Sequence, residues 1–250
     1  MTRRPIIAGN WKMYKTVDQT RAYFEEFRPL VASSHHCDVV IYPTFVNLEA
    51  AVQAVHGSRI EIGGQNLFWA KEGAFTGEIS AGMLRAVGCH WVLIAHSERR
   101  QYFGETDQTA CKKTAAALEA GLHPVVCIGE VLEERESGQT NAVLQSQIRG
   151  SIAPIRADDF AKIAIAYEPV WAIGTGKTAT PEMAGDAHGV IRKEIEHHYG
   201  KKAAGECRIL YGGSVKPDNI HRLMHEENVD GALVGGASLD PTSFAGIVNY

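Results

Sequence analysis

The chain of 250 residues is 45% hydrophobic and 22% charged, the proportions of an ordinary soluble globular protein and a length suited to one large α/β domain or two small ones. A formal net charge of −4 without any basic run argues against a nucleic-acid surface. Five scattered cysteines, none in a Cys-x-x-Cys spacing, speak against a disulfide framework or zinc knuckle; with no signal-like or membrane-spanning stretch, cytoplasmic residence away from any membrane is the expectation.

Short apolar runs, several of them β-branched, mark eight candidate strands. The first, residues 5–8, leads into Asn10, Trp11 and Lys12, where flanking Trp11 and Met13 are expected to anchor the strand end. A helical stripe follows in Tyr23, Phe24, Phe27, Leu30 and Val31. Residues 37–42 and 60–63 supply the next two runs. Segment 65–79 is too long for a tight connection and carries Leu67, Phe68, Trp69 and Phe75. An apolar excursion of that kind is expected to enter a partner subunit, with a loop folded onto its own barrel as the alternative.

The fourth run, 91–95, ends at His96-Ser97-Glu98, and the fifth, 124–128, contains Cys127. The charged stretch from Glu130 to Glu136 reads as a solvated helix face. The sixth run, 163–166, is followed by Glu168 and by a proline-hinged apolar tip, Val170-Trp171-Ala172-Ile173, with Gly174 and Gly176 behind it. Thr180-Pro181-Glu182 is a helix start: an N-cap, a proline in the first turn and an acid suited to the helix dipole. Ala187, Val190, Ile191 and Ile195 continue as a stripe. The seventh run, 209–211, precedes Gly212-Gly213-Ser214, and the eighth, 232–234, precedes Gly235-Gly236.

Apolar runs without alternation are those of parallel strands buried on both faces. Eight βα units in this length predict an α/β protein of the (β/α)8 barrel class, with residues 1–250 as one domain. A doubly wound open sheet is the alternative, although the Gly-x-Gly-x-x-Gly it would bring after an early strand is absent.

In a barrel, residues just past each strand face the active-site end. That rule collects Asn10, Lys12, His96, Glu98, Glu168 and the two glycine doublets. A carboxylate at a strand end beside a loop able to close over it suits a general base. Glycine doublets can be simple tight turns; on adjacent units, after the seventh and eighth strands, they favour a phosphate site built from backbone N–H groups. Gly174-Thr175-Gly176-Lys177-Thr178 imitates a nucleotide-binding loop, but Trp171 stands where that motif needs its first glycine. Metal binding is not expected: His221 and His225 lack a third ligand, and the pairs His35-His36 and His197-His198 read as solvated.

In their order and spacing, Gly9-Asn10-Trp11-Lys12-Met13, Gly73-Ala74-Phe75-Thr76-Gly77-Glu78, His96-Ser97-Glu98-Arg99-Arg100, Cys127-Ile128-Gly129-Glu130, the segment 167–178, Tyr211-Gly212-Gly213-Ser214 and Gly235-Gly236 resemble the triosephosphate isomerase family over nearly the whole chain. The resemblance implies a homodimeric barrel that interconverts dihydroxyacetone phosphate and glyceraldehyde 3-phosphate, in glycolysis and gluconeogenesis, without metal or organic cofactor. It implies Glu168 as the base, His96 as a neutral electrophile and a loop 169–177 that closes, an assignment for which this family is itself the standard example. Lys12 would stabilise developing negative charge, with Asn10 beside it and Glu98 orienting it. Gly174, Ser214, Gly235 and Gly236 would hold the phosphate. Phe75 and Thr76, in loop 65–79, would enter the neighbouring subunit.

Two positions depart from the family pattern: Ala95 replaces a common glycine, and Tyr14 a frequent asparagine. Strand alternation predicts that the Ala95 methyl faces the helix layer and leaves the site intact, while Tyr14 bears on the subunit contact. The alternatives are another phosphate-binding barrel enzyme, such as an aldolase or synthase, and a non-catalytic sugar-phosphate binder.

Overall fold

The computed structural model describes residues 3–153, 155–173 and 179–250. Among them, parallel strands close in sequence order into a barrel: β1 (Ile6–Asn10), β2 (Asp38–Tyr42), β3 (Ile60–Gly64), β4 (Trp91–Ile94), β5 (His123–Ile128), β6 (Ala164–Tyr167), β7 (Arg208–Tyr211) and β8 (Gly231–Val234). Closure is carried by β1 and β8, where Ile6 pairs with Gly231 and Gly9 with Val234. The expected barrel is present, and the open sheet is ruled out. Each expected run is a strand, with ends shifted by one or two residues.

The apolar runs reflect two buried faces. Ile6, Ala8, Val40, Tyr42, Leu93 and Leu210 fill the barrel interior, while their neighbours Ile7, Val39, Ile41 and Val92 point outward against the helices. Alternate side chains thus enter different layers, yet both layers are apolar. The helices that cover the barrel are α1 (Val17–Leu30), α2 (Leu48–Val55), α3 (Ala81–Val87), α4 (Ser97–Tyr102), α5 (Asp107–Glu119), α6 (Leu132–Glu136), α7 (Thr140–Ile152), α8 (Pro181–Glu206), α9 (Ile220–Met224) and α10 (Pro241–Val248). Thr16 and Gln19 form a capping box that starts α1. Thr180 caps α8 by accepting the Met183 N–H, and Gly200, at φ 87°, breaks that helix near its end.

Three expectations need correction. Leu30 is exposed, because the α1 stripe that packs on the barrel runs through Tyr23, Phe24 and Phe27 to Val31. Met13 does not anchor the end of β1: Lys12 adopts φ 52°, the chain turns outward there, and Met13 is 91% exposed while Trp11 is buried and donates its indole N–H to the Ser238 carbonyl. The acidic stretch is not wholly solvated either. α6 has no buried residue, but Glu130, just before it, is completely buried. His197 and His198 are both exposed, as expected, and His198 Nε2 lies 2.9 Å from Glu194.

Segment 65–79 packs on itself at its base. Leu67 is buried, Phe68 stacks on Trp69 at 4.1 Å and packs at a tilt against Phe75 at 4.5 Å, and the Phe68 N–H donates to the Ile79 carbonyl. The tip, residues 71–78, is nevertheless exposed. Among the described residues, no helix is long and apolar enough to cross a membrane.

Candidate active site

The C-terminal ends of the strands surround a cavity of about 290 Å³, lined among others by Asn10, Lys12, His96, Glu168, Ser214, Gly235 and Gly236. That volume sits at the small end of the usual range for ligand sites, about 300–1,000 Å³. A larger hollow of about 510 Å³, lined by Arg28, Cys37, Arg59 and Ile60 among others, opens where β2 and β3 begin, and it joins no acid to a histidine. The smaller cavity brings a carboxylate, an imidazole and an ammonium group together.

Glu168 follows β6 directly and is 2% exposed. Its N–H donates to the Ile128 carbonyl at 2.7 Å, which extends the β5–β6 ladder by one step. Two glycines make room for it: a Cβ at Gly212 would fall 2.9 Å from the Glu168 Cγ, and one at Gly129 only 1.7 Å from its carbonyl oxygen. The carboxylate accepts from His96 Nε2 at 2.9 Å and from the Ser97 N–H at 2.8 Å. Burial alone would raise this carboxyl, but the His96 ring, its hydrogen bond, the Ser97 N–H and Lys12 outweigh it and hold the group below the usual carboxylate range.

His96 caps α4 from the end of β4, and its Nδ1 accepts the Glu98 N–H at 3.3 Å. A nitrogen that accepts a backbone N–H carries no proton, so the ring holds its proton at Nε2 and donates it to Glu168. Burial pulls the imidazole down, while contact with the Glu168 carboxylate more than reverses this and raises it. Lys12 completes the set, with Nζ 2.6 Å from Glu98 Oε1. Its left-handed backbone is fixed from two sides: Asn10 Oδ1 accepts the Lys12 N–H, and Gln65 donates to the Lys12 carbonyl at 2.7 Å.

The sequence-derived residues Asn10, Lys12, His96, Glu168, Ser214, Gly235 and Gly236 thus converge on one cavity, and Glu98 contacts Lys12. Gly174 lies outside the described residues, as do positions 175–177 of the expected closing loop. Cys127 lies in the barrel interior below the mouth, with its thiol pushed well up by burial. Sequence reasoning missed the Ser97 N–H, Gln65 and Glu130. The Glu130 carboxylate accepts from the Tyr167 hydroxyl and Trp171 Nε1, both at 3.0 Å, and from Arg135 at 3.1 Å, while its carbonyl accepts the Val170 N–H. It fastens the base of the loop after β6 to the barrel. Among the described residues, no cluster of three or more His, Cys, Asp or Glu side chains is arranged to hold a metal ion.

Fold and mouth define a (β/α)8 barrel with a carboxylate, an imidazole and an ammonium group gathered where such barrels conduct their chemistry. The sequence profile described as triosephosphate isomerase matches residues 5–250. A triosephosphate isomerase from Solibacter usitatus is 62% identical, over 99% of this chain and 100% of that protein. Those of Citrifermentans bemidjiense and Clostridium beijerinckii are 52% and 51% identical, over 99% of this chain and 99% and 100% of theirs. The chain belongs to the triosephosphate isomerase family.

Proposed function

We propose that this protein interconverts dihydroxyacetone phosphate and D-glyceraldehyde 3-phosphate by proton transfer through an enediol(ate). The observation that carries the reading is the meeting of the Glu168 carboxylate and the proton-bearing Nε2 of His96, 2.9 Å apart, in a cavity shared with Lys12. Glu168 removes the proton from the carbon next to the carbonyl and returns it to the neighbouring carbon. His96 donates a hydrogen bond from Nε2 to the carbonyl oxygen as negative charge develops there. Lys12 stabilises that charge, Asn10 assists as a hydrogen-bond partner, and Glu98 orients the ammonium group. The phosphate rests on the backbone of Gly174, Ser214, Gly235 and Gly236, where a lid formed by 169–177 keeps water from the enediolate.

A base alone contributes roughly 10²–10⁴-fold, so oriented charge around the carbonyl must supply much of the remaining acceleration. The base and the electrophile hydrogen-bond each other, and substrate enters by taking the place of that bond. The two alternatives, another phosphate-binding barrel enzyme and a non-catalytic binder, are not favoured by relatives that share their name over their whole lengths.

The chain acts as one domain and pairs with a second copy through loop 65–79, with Phe75 and Thr76 entering the partner. Phe75 is 45% exposed, and Tyr14 and Met13 are exposed as well. Cytoplasmic residence suits its five unpaired cysteines. The test is a coupled assay of the pure protein with glyceraldehyde 3-phosphate beside Glu168→Asp, which withdraws the carboxylate by about 1 Å and is expected to cost on the order of 10²-fold in kcat. Unchanged turnover in the variant would remove Glu168 as the base.

A further inference from the structure

Arg100 lies in α4, four residues after His96, and its side chain is mostly withdrawn from solvent. Nε donates to the Ala95 carbonyl at 3.1 Å, Nη2 to the Cys127 carbonyl at 3.2 Å and to Ser151 Oγ at 3.3 Å, and Nη1 to Asp107 Oδ1 at 2.7 Å. The Ser151 hydroxyl donates to the same Asp107 oxygen at 3.1 Å. One planar fork therefore joins the ends of β4 and β5 to the first turn of α5 and the last turn of α7.

The two carbonyls among these acceptors have a particular place in the chain. In the β4–β5 ladder Ile94 pairs with Val126, so the next pair would be Ala95 with Cys127. Ala95 instead turns to φ 56° and leaves the ladder. Two strand-end carbonyls in a buried region need donors, and a carbonyl left unpaired there is costly. Arg100 supplies a donor to each. The Ala95 carbonyl belongs to the peptide that carries the His96 nitrogen. One residue past Cys127, the Ile128 carbonyl accepts the Glu168 N–H. The guanidinium thus fixes the backbone beneath both members of the acid–base pair.

We propose that Arg100 is a positioning residue for the isomerisation: by tying the Ala95 and Cys127 carbonyls together, it sets the separation and mutual orientation of the His96 ring and the Glu168 carboxylate. It does not line the cavity and acts only through those two residues. A lysine would supply a point charge in place of the planar fork and could not span the same acceptors. Reacting groups must be held within about 0.5 Å of their working geometry, and a misplacement near 1 Å can cost about 10²-fold.

The proposal rests on His96 and Glu168 being the reacting groups, so the wild-type protein is assayed first; an inert wild type would sink that reading and leave Arg100 aside. With an active wild type, Arg100→Lys is measured for kcat, KM and thermal midpoint, and the ring nitrogens of His96 are followed by ¹⁵N NMR. The expected result is a loss of about tenfold or more in kcat, KM within about twofold, and His96 resonances displaced while those of His188 stay in place. Ser151→Ala, which keeps both carbonyl bonds, is expected to retain turnover. A kcat within about twofold of wild type would overturn the proposal, as would a large loss with unmoved His96 resonances, the mark of a merely structural role. If Arg100→Lys does not fold, Asp107→Asn decides by the same readouts: a lower kcat with displaced His96 resonances supports the proposal, and an unchanged kcat overturns it.

Discussion

Two buried histidines in this barrel carry opposite instructions. His96 sits at the mouth with Nδ1 accepting a helix N–H and Nε2 donating to Glu168. His188 sits on α8, completely buried, with Nδ1 3.1 Å from the Asn228 carbonyl and Nε2 without a partner among the described residues. A carbonyl only accepts, so the His188 proton is on Nδ1. Burial pushes the His188 imidazole down to about 3, whereas the Glu168 carboxylate reverses the same effect at His96 and raises it. Depth in the fold does not decide what a histidine does; the partner at each nitrogen does.

The largest effects are expected when each ring is replaced in turn. His96→Gln is expected to lower kcat by about 10²-fold or more, the scale of a lost acid–base group, while His188→Asn leaves turnover within about threefold once folded. Comparable losses in the two variants, measured in the same coupled assay, would mean that His96 acts as packing and not as the electrophile. Nitrogen-15 NMR sharpens the point: the proton should be found on Nε2 of His96 and on Nδ1 of His188 in the ligand-free protein. The same tautomer at both would contradict the hydrogen bonds described above.

The pH dependence of stability separates the pair next. A group depressed from 6.5 to about 3 contributes stability that is present above pH 6.5 and lost as pH falls toward 3, because only the unfolded chain then takes up the proton. For His188 this is about 2–3 kcal/mol between pH 6.5 and 4.5. His96, raised by Glu168, has the opposite sign: its contribution is present below 6.5 and lost as pH rises through its folded value. Denaturant titrations should show a flatter acid limb in His188→Asn, even though its stability at pH 8 falls through lost packing. An acid limb identical to wild type would show that His188 is not the group being protonated.

The parts legible in the sequence were those set by local pattern. The strands could be read because both their faces are apolar, and the mouth residues because a closed parallel barrel presents the end of every strand to one place. Glu130 is misread because a charged run, Glu133 to Glu136, follows it closely, while the groups that bury it, Tyr167 and Trp171, lie 37 and 41 residues further along. No composition rule reveals a contact at that separation. His188 was passed over for the same reason, since Asn228 is 40 residues away. The Ser97 N–H that binds Glu168 belongs to the backbone, and side-chain chemistry could not point to it.

Ala95 gives the smallest expected effect and the closest balance. The direction argued from strand alternation holds: its methyl is buried in the layer between barrel and helices. The reason differs, because Ala95 lies past the end of β4 at φ 56°, and Ile94 before it belongs to the same layer. A left-handed alanine costs about 1–2 kcal/mol. Ala95→Gly removes that strain but forfeits a buried methyl, about 0.8 kcal/mol, and adds about 0.5–1 kcal/mol of chain entropy to be lost on folding. The terms nearly cancel, so stability should change by less than about 1 kcal/mol. Turnover should stay within about twofold, because Arg100 still holds the carbonyl and His96 still caps α4. A tenfold rise in kcat for Ala95→Gly would show that the methyl displaces His96 after all, and that the mouth of this barrel works below what its geometry allows.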